Sequence, residues 1–144
     1  MRMSEEHADA HWELGKLVHD LDMQCAARMR DRVAPLGLTV AQASALREMS
    51  GAMTMKELAL KMSCEPSNAT VIIDKLEAMA LIERQPHPTD RRAKQLTLTE
   101  AGSAQRKMVL RVLAEGPIVA GLSQGEMAAL EALLNKALAR PREH

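Results

Sequence analysis

Apolar residues recur at spacings of three and four from about residue 7 to 34. Leu14, Leu17, Val18, Leu21, Cys25, Met29 and Val33 form one stripe, which predicts a long amphipathic helix. Pro35 and Gly37 stop it. Thr39 with Gln42, Thr54 with Glu57, and Ser123 with Glu126 each place a helix-capping hydroxyl three residues before a Glu or Gln. Further helices are therefore expected to start at those points. Between the second and third of these signals, Ser63-Cys64-Glu65 reads as a tight turn, and Pro66 sits at the first position of another helix. On that helix Ala69, Ile72, Ile73, Leu76 and Met79 share one face, while Ser67, Val71, Asp74 and Ala78 point away. Such a helix, small and polar on its outer N-terminal side, can enter a groove.

The period then changes. Leu81–Arg84 and Lys94–Thr99 read as two short strands, the second with Leu96 and Leu98 alternating. They flank a proline-bounded loop with a basic tip, Pro86-His87-Pro88-Thr89-Asp90-Arg91-Arg92, and so form a hairpin. A fifth helix starts at Thr99-Glu100, with Ala104, Met108, Val112 and Val119 expected inward, and Gly116-Pro117 should interrupt it. The last helix carries Met127, Leu130, Leu133, Leu134, Ala137 and Leu138. The expected fold is mainly α with a small β-hairpin wing. A winged helix-turn-helix core at 37–102 is flanked by long dimerisation helices at 1–36 and 103–144, all within one domain spanning 1–144. The flanking helices carry more apolar surface than so small a centre can cover, so a twofold homodimer is expected.

Composition narrows the function classes. Trp12 is the only aromatic residue of the 144, against 11 Met. That disfavours sheets and barrels that stack bases on aromatic rings. Lys+Arg and Asp+Glu are both 19, which excludes a uniformly basic coat. The balance is uneven, however. Residues 1–25 hold two basic against six acidic residues, and residues 84–111 seven basic against two acidic, so an anionic partner is to be sought at the latter. No run is long and apolar enough for a membrane span, and the acidic start is not a secretory signal, so a cytoplasmic location and no membrane partner are expected. Two cysteines do not make a disulfide framework. No nucleotide loop, zinc-protease motif or nucleophile elbow occurs, so neither a catalytic site nor a cofactor is expected.

Residues 54–102 resemble the MarR family of bacterial winged-helix transcription regulators. The resemblance rests on Asp90-Arg91-Arg92, on Leu96-Thr97-Leu98-Thr99-Glu100-Ala101-Gly102, and on Pro66-Ser67-Asn68-Ala69-Thr70 with Asp74, Leu76 and Glu77. It implies a homodimer on pseudo-palindromic, double-stranded promoter DNA, usually a repressor released by a small ligand or an oxidant. Two departures stand out. The family usually has Gly where this chain has Ala80, and many members have Arg or Gly where it has Val71. A valine there cannot hydrogen-bond guanine but can contact a thymine methyl.

The candidate DNA-binding residues are Ser67, Asn68, Thr70, Val71 and Lys75 on the recognition helix, and Asp90, Arg91, Arg92 and Lys94 in the wing. Asn can pair with adenine, and an arginine can reach into a narrow minor groove. The family pattern implies that Asp90 orients Arg92 and leaves Arg91 and Lys94 for phosphates, although Arg91 and Arg92 could exchange roles. The plainer alternatives are a solvated helix face and a charged hairpin tip. For an effector, expected to be a small, largely apolar organic anion, the candidates are Trp12, His19, Met23 and Arg28 on the first helix with Met108 and Arg111 on the fifth. Three rival readings are weighed against this one. His7 and His11 share a helix face as metal ligands would, but no further ligand completes a site. Cys64 precedes a helix N-terminus, which favours a reactive thiol, whereas Cys25 on the apolar stripe is expected to be buried. Finally, a winged helix can bind protein, for which the basic wing is ill suited.

Overall fold

The computed structural model describes residues 4–139. Its elements are α1 (Glu5–Val33), a 3-10 turn (Ala34–Leu36), α2 (Val40–Glu48), β1 (Met53–Thr54), α3 (Met55–Lys61), α4 (Pro66–Ala78), β2 (Ile82–Pro86), β3 (Lys94–Leu98), α5 (Glu100–Ala114) and α6 (Gln124–Leu138). The fold is mostly helical, as the periodicity predicts. The sheet, however, has three antiparallel strands in the order β1-β3-β2. Met53 opposes Leu96 and Ile82 opposes Leu98, so the wing hairpin is joined to the chain just ahead of α3.

Caps fix the helix starts. The Thr39 hydroxyl accepts the Gln42 N–H at 3.1 Å while the Gln42 side chain accepts the Thr39 N–H at 3.0 Å, and Ser123 and Glu126 reciprocate in the same way. Thr54 makes only half of such a box, accepting the Glu57 N–H at 3.2 Å. Two helix ends share one left-handed device. After α3, Ser63 has φ 53°, and the Cys64 N–H reaches the Ala59 carbonyl at 3.0 Å. After α4, Ala80 has φ 60°, and the Leu81 N–H reaches the Leu76 carbonyl, again at 3.0 Å. Both are Schellman closures, which normally place glycine at the left-handed residue.

The chain divides into two compact units. Residues 26–116 form one, wider at both ends than the 37–102 span expected from motifs alone. Its core is Val33, Leu38, Leu46, Met49, Met53, Leu58, Ile73, Leu76, Ile82, Leu96 and Val109 with smaller neighbours. Side chains on α5 tie it to main-chain carbonyls of the same unit. Gln105 donates to Leu36 at 2.9 Å, and Arg106 to Arg47 at 3.2 Å. The buried face of α5 is therefore Gly102 and Val109. Ala104 and Met108, expected inward, are exposed, because Gly102 seats the helix one residue out of the predicted phase. Arg32 donates to the Gly116 carbonyl at 2.5 Å, beyond which α5 has already ended, as the Gly-Pro pair predicts.

The second unit comprises residues 4–25 and 117–139. None of its described residues is buried. Leu14, Leu17, Val18, Leu133 and Leu138 are more than half exposed. The α1 stripe is therefore present but, within one chain, fully buried only at Val33. Cys25 is half-buried rather than buried.

Candidate nucleic-acid interface

Pro66 presets the first turn of α4, and Ala69, Ile73 and Leu76 anchor its inner face at 0% exposure. That orientation leaves Ser67, Asn68, Val71, Asp74 and Lys75 outward, all exposed, and Val71 keeps 55% of its surface in solvent. Thr70 lies on the flank, and its hydroxyl donates to the Pro66 carbonyl at 2.9 Å. Met79, predicted on the inner face, is 42% exposed, because α4 ends at Ala78.

The wing is a five-rung ladder from Ile82↔Leu98 to Pro86↔Lys94, closed by a tip at 87–93. The tip is organised by its own side chains. The Asp90 carboxylate accepts the backbone N–H of Arg92 at 2.9 Å. It thus fixes the arginine's main chain, not the guanidinium as the family pattern implied. The His87 ring nitrogen Nδ1 accepts the N–H groups of Thr89 at 3.2 Å and Asp90 at 3.0 Å. Arg91, Arg92 and Lys94 are exposed. The same unit therefore presents a groove-sized polar helix face and a cationic hairpin tip.

Arg84 and His87 escaped the sequence reading. Arg84, on β2, pairs with Asp74 on α4 and lies 3.2 Å from Glu77, so it cross-links wing and recognition helix. The signal was the charge pattern, one basic residue in a strand facing two acids spaced i, i+3. Beside this link an open concavity of about 400 Å³ is lined by Lys56, Thr70, Arg84 and Lys94, with Met55 and Leu96 as its apolar wall.

The Thr99-Glu100-Ala101-Gly102 run has a structural task. Thr99 donates its hydroxyl to the Ala80 carbonyl at 2.7 Å and accepts the Gly102 N–H at 3.0 Å, while its own N–H reaches the Leu81 carbonyl at 3.1 Å. The motif clamps the corner at which the recognition helix turns into the wing.

The sequence model of the MarR family matches residues 38–94, the stretch that contains α2, α3, α4 and the wing tip. An uncharacterised HTH-type transcriptional regulator of Mycobacterium leprae is 30% identical over 69% of this chain and 73% of its own length. The chain belongs to the MarR family. The multiple antibiotic resistance protein MarR of Escherichia coli K12 is 28% identical over 87% of this chain and 90% of that protein. A crystal structure of an E. coli MarR mutant complexed with operator DNA superposes with a TM-score of 0.81 at 27% identity. It covers 88% of this chain and 94% of that one. The HTH-type transcriptional repressor MdtR of Bacillus subtilis is 33% identical over 57% of this chain and 54% of its own length. The MarR-family winged helix accounts for α3, α4 and the hairpin as one transcription-regulator module.

The effector candidates fall in both compact units, Trp12, His19 and Met23 in one and Arg28, Met108 and Arg111 in the other. Trp12 and His19 line an open concavity of about 380 Å³ on α1 together with His11, Gly15 and Lys16. Met23, Met108 and Arg111 are exposed, Arg28 is half-buried, and none of the four lines that concavity. His7 is exposed and its ring bonds to Ser4. Among the described residues no three His, Cys, Asp or Glu side chains gather as metal ligands. Cys64 is half-buried, its N–H used in the turn. No helix among the described residues is long and apolar enough to cross a membrane.

Proposed function

We propose that this MarR-family regulator is a homodimeric repressor of neighbouring genes, which lays α4 in the major groove of each operator half-site and its wing against the adjoining minor groove. The observation that carries this is that an exposed α4 face and a basic wing tip lie on one compact unit, cross-linked through Arg84. Ser67, Asn68, Thr70 and Val71 serve base edges and nearby phosphates, with Val71 suited to a thymine methyl. Lys75, Arg91 and Lys94 serve phosphates, and Arg92, its main chain fixed by Asp90, enters the minor groove. Dimerisation is supported by the arm unit, in which no described residue is buried. The likeness to a MarR mutant solved on operator DNA supports the same reading. The test is Arg91→Ala with Arg92→Ala. Affinity should fall on every duplex, and the log–log salt slope should flatten by about 0.9 per lost phosphate contact. Unchanged affinity and slope would remove the wing from DNA binding.

Release by a small organic anion is part of the proposal. The α1 concavity offers an indole, two imidazoles and an ammonium, a set that suits an aromatic carboxylate. Titration with such acids should change Trp12 emission over the concentration range that frees the operator.

A further inference from the structure

We infer that His87 is the positioning residue of the wing, and that it holds the wing tip only while its Nδ1 carries no proton. The inference rests on the wing's proposed role in DNA binding, but its first premise is structural. Two backbone N–H groups, those of Thr89 and Asp90, point at the same ring nitrogen from 3.2 and 3.0 Å, and the Thr89 hydroxyl lies 3.4 Å away. A neutral imidazole has one acceptor nitrogen, whereas an imidazolium has none. The contacts therefore place the acceptor lone pair at Nδ1 and the ring proton at Nε2. Protonation would turn Nδ1 into a third donor facing two others.

The consequence runs straight to the cationic residues. Asp90, whose N–H the ring holds, in turn holds the Arg92 N–H with its carboxylate, and its carbonyl accepts the Ala93 N–H at 3.3 Å. The tip closes on the His87 N–H, which reaches the Ala93 carbonyl at 3.3 Å. Released from the ring, the Thr89–Asp90 turn loses its side-chain anchor, and Arg91 and Arg92 lose their fixed direction. The charged residues of the tip itself are Asp90, Arg91 and Arg92, with Lys94 at the start of β3, opposite Pro86.

The sign is the discriminating feature. Histidines near phosphates ordinarily strengthen DNA binding when acid charges them, by adding a cation. A histidine that works as an acceptor does the reverse. Its contribution is complete while the ring is neutral and is lost as falling pH protonates it.

The experiment compares the wild type with His87→Asn and His87→Ala on a fluorescent duplex selected from a random library, from about pH 8 to about pH 5.5. Asparagine places Oδ1 where histidine places Nδ1, one bond from Cγ, and accepts the same turn without titrating. His87→Asn should match wild-type affinity at the alkaline end and overtake it in acid by about fivefold to tenfold, the size of one lost hydrogen bond. His87→Ala should be weak throughout, with an unchanged helical circular dichroism spectrum. Identical pH profiles for wild type and His87→Asn would overturn the inference, as would tighter wild-type binding in acid. A second measurement needs no DNA. Long-range nitrogen–proton NMR of the free protein should show Nδ1 unprotonated at neutral pH, with the Asp90 and Arg92 amides broadening as the ring titrates. A protonated Nδ1 at neutral pH, or amides indifferent to the titration, overturns the inference even if Arg91 and Arg92 prove essential. If Arg91→Ala with Arg92→Ala leaves DNA affinity untouched, the wing reading is what has failed, and the NMR result still decides the role of His87.

Discussion

Gly102→Ala should unfold the winged unit at a markedly lower temperature. A Cβ built on Gly102 lies 1.9 Å from the Leu81 carbonyl oxygen and 2.9 Å from its carbon. Ordinary contact begins at 3.4 Å, so helix and corner must separate by about 1.5 Å. The corner cannot give cheaply. The Leu81 N–H is held by Leu76, its carbonyl by Thr99, and Ile82 is already in register with Leu98. Forcing one extra carbon into a packed site costs about 1–3 kcal/mol. Loss of the Thr99 bonds to Ala80 and Leu81 adds about 1 kcal/mol each. Against this, Ala is favoured over Gly in a helix by about 1 kcal/mol. The net loss is about 2–4 kcal/mol, or about 10–25 °C for a unit of this size. Thermal melts followed by circular dichroism at fixed protein concentration measure it. A melting point within about 2 °C of wild type would mean that the α5 seat is not the tight clamp described.

Ala80→Gly, two hydrogen bonds away on the same corner, should act in the opposite direction. At φ 60° a Cβ is strained, so glycine should raise stability by up to about 1 kcal/mol, measured by urea denaturation, and a loss would refute the Schellman reading. Glu126→Gln should remove an acid sensitivity of α6. The Ser123 backbone N–H and then its hydroxyl hold the Glu126 carboxyl below the ordinary glutamate range. The capping box is therefore complete above that range and lost as pH falls through the lowered value, whereas Gln keeps it, as helicity during acid titration should show. Sedimentation equilibrium should give a dimer at low micromolar concentration, and a folded monomer there would contradict the assembly.

Elements with a long period were legible in the sequence, and those set by a single close approach were not. The inner face of α4 follows from Ala69, Ile73 and Leu76 because a 13-residue helix repeats its signal. Strand β1 has two residues, too few to show alternation, so a three-stranded sheet read as a two-stranded hairpin. The face of α5 was misassigned at Ala104 and Met108 because Met108 and Val109 are adjacent apolar residues, between which the period alone does not choose. The true phase is set by a glycine packed on a carbonyl, a fact of backbone distance that no side-chain pattern carries. In the site, Arg91 and Arg92 were legible as charge. The ring-to-amide bonds of His87 were not, since an acceptor role depends on turn geometry. Trp12 and His19 line one concavity on α1.

The two faces of α4 divide labour in a way that bears on how such regulators diverge. Ser67, Asn68, Val71 and Lys75 are all exposed, whereas Ala69, Ile73 and Leu76 are fully enclosed one or two positions away. Substitutions on the outer face fall in the class that typically shifts stability by less than about 0.5 kcal/mol. A duplicated gene can therefore sample new outer-face residues, and with them new target sequences, with its fold undisturbed. The Thr99–Gly102 side of the corner has no such latitude. Drift in this lineage should be fast on one side of a single helix and nearly frozen on the other.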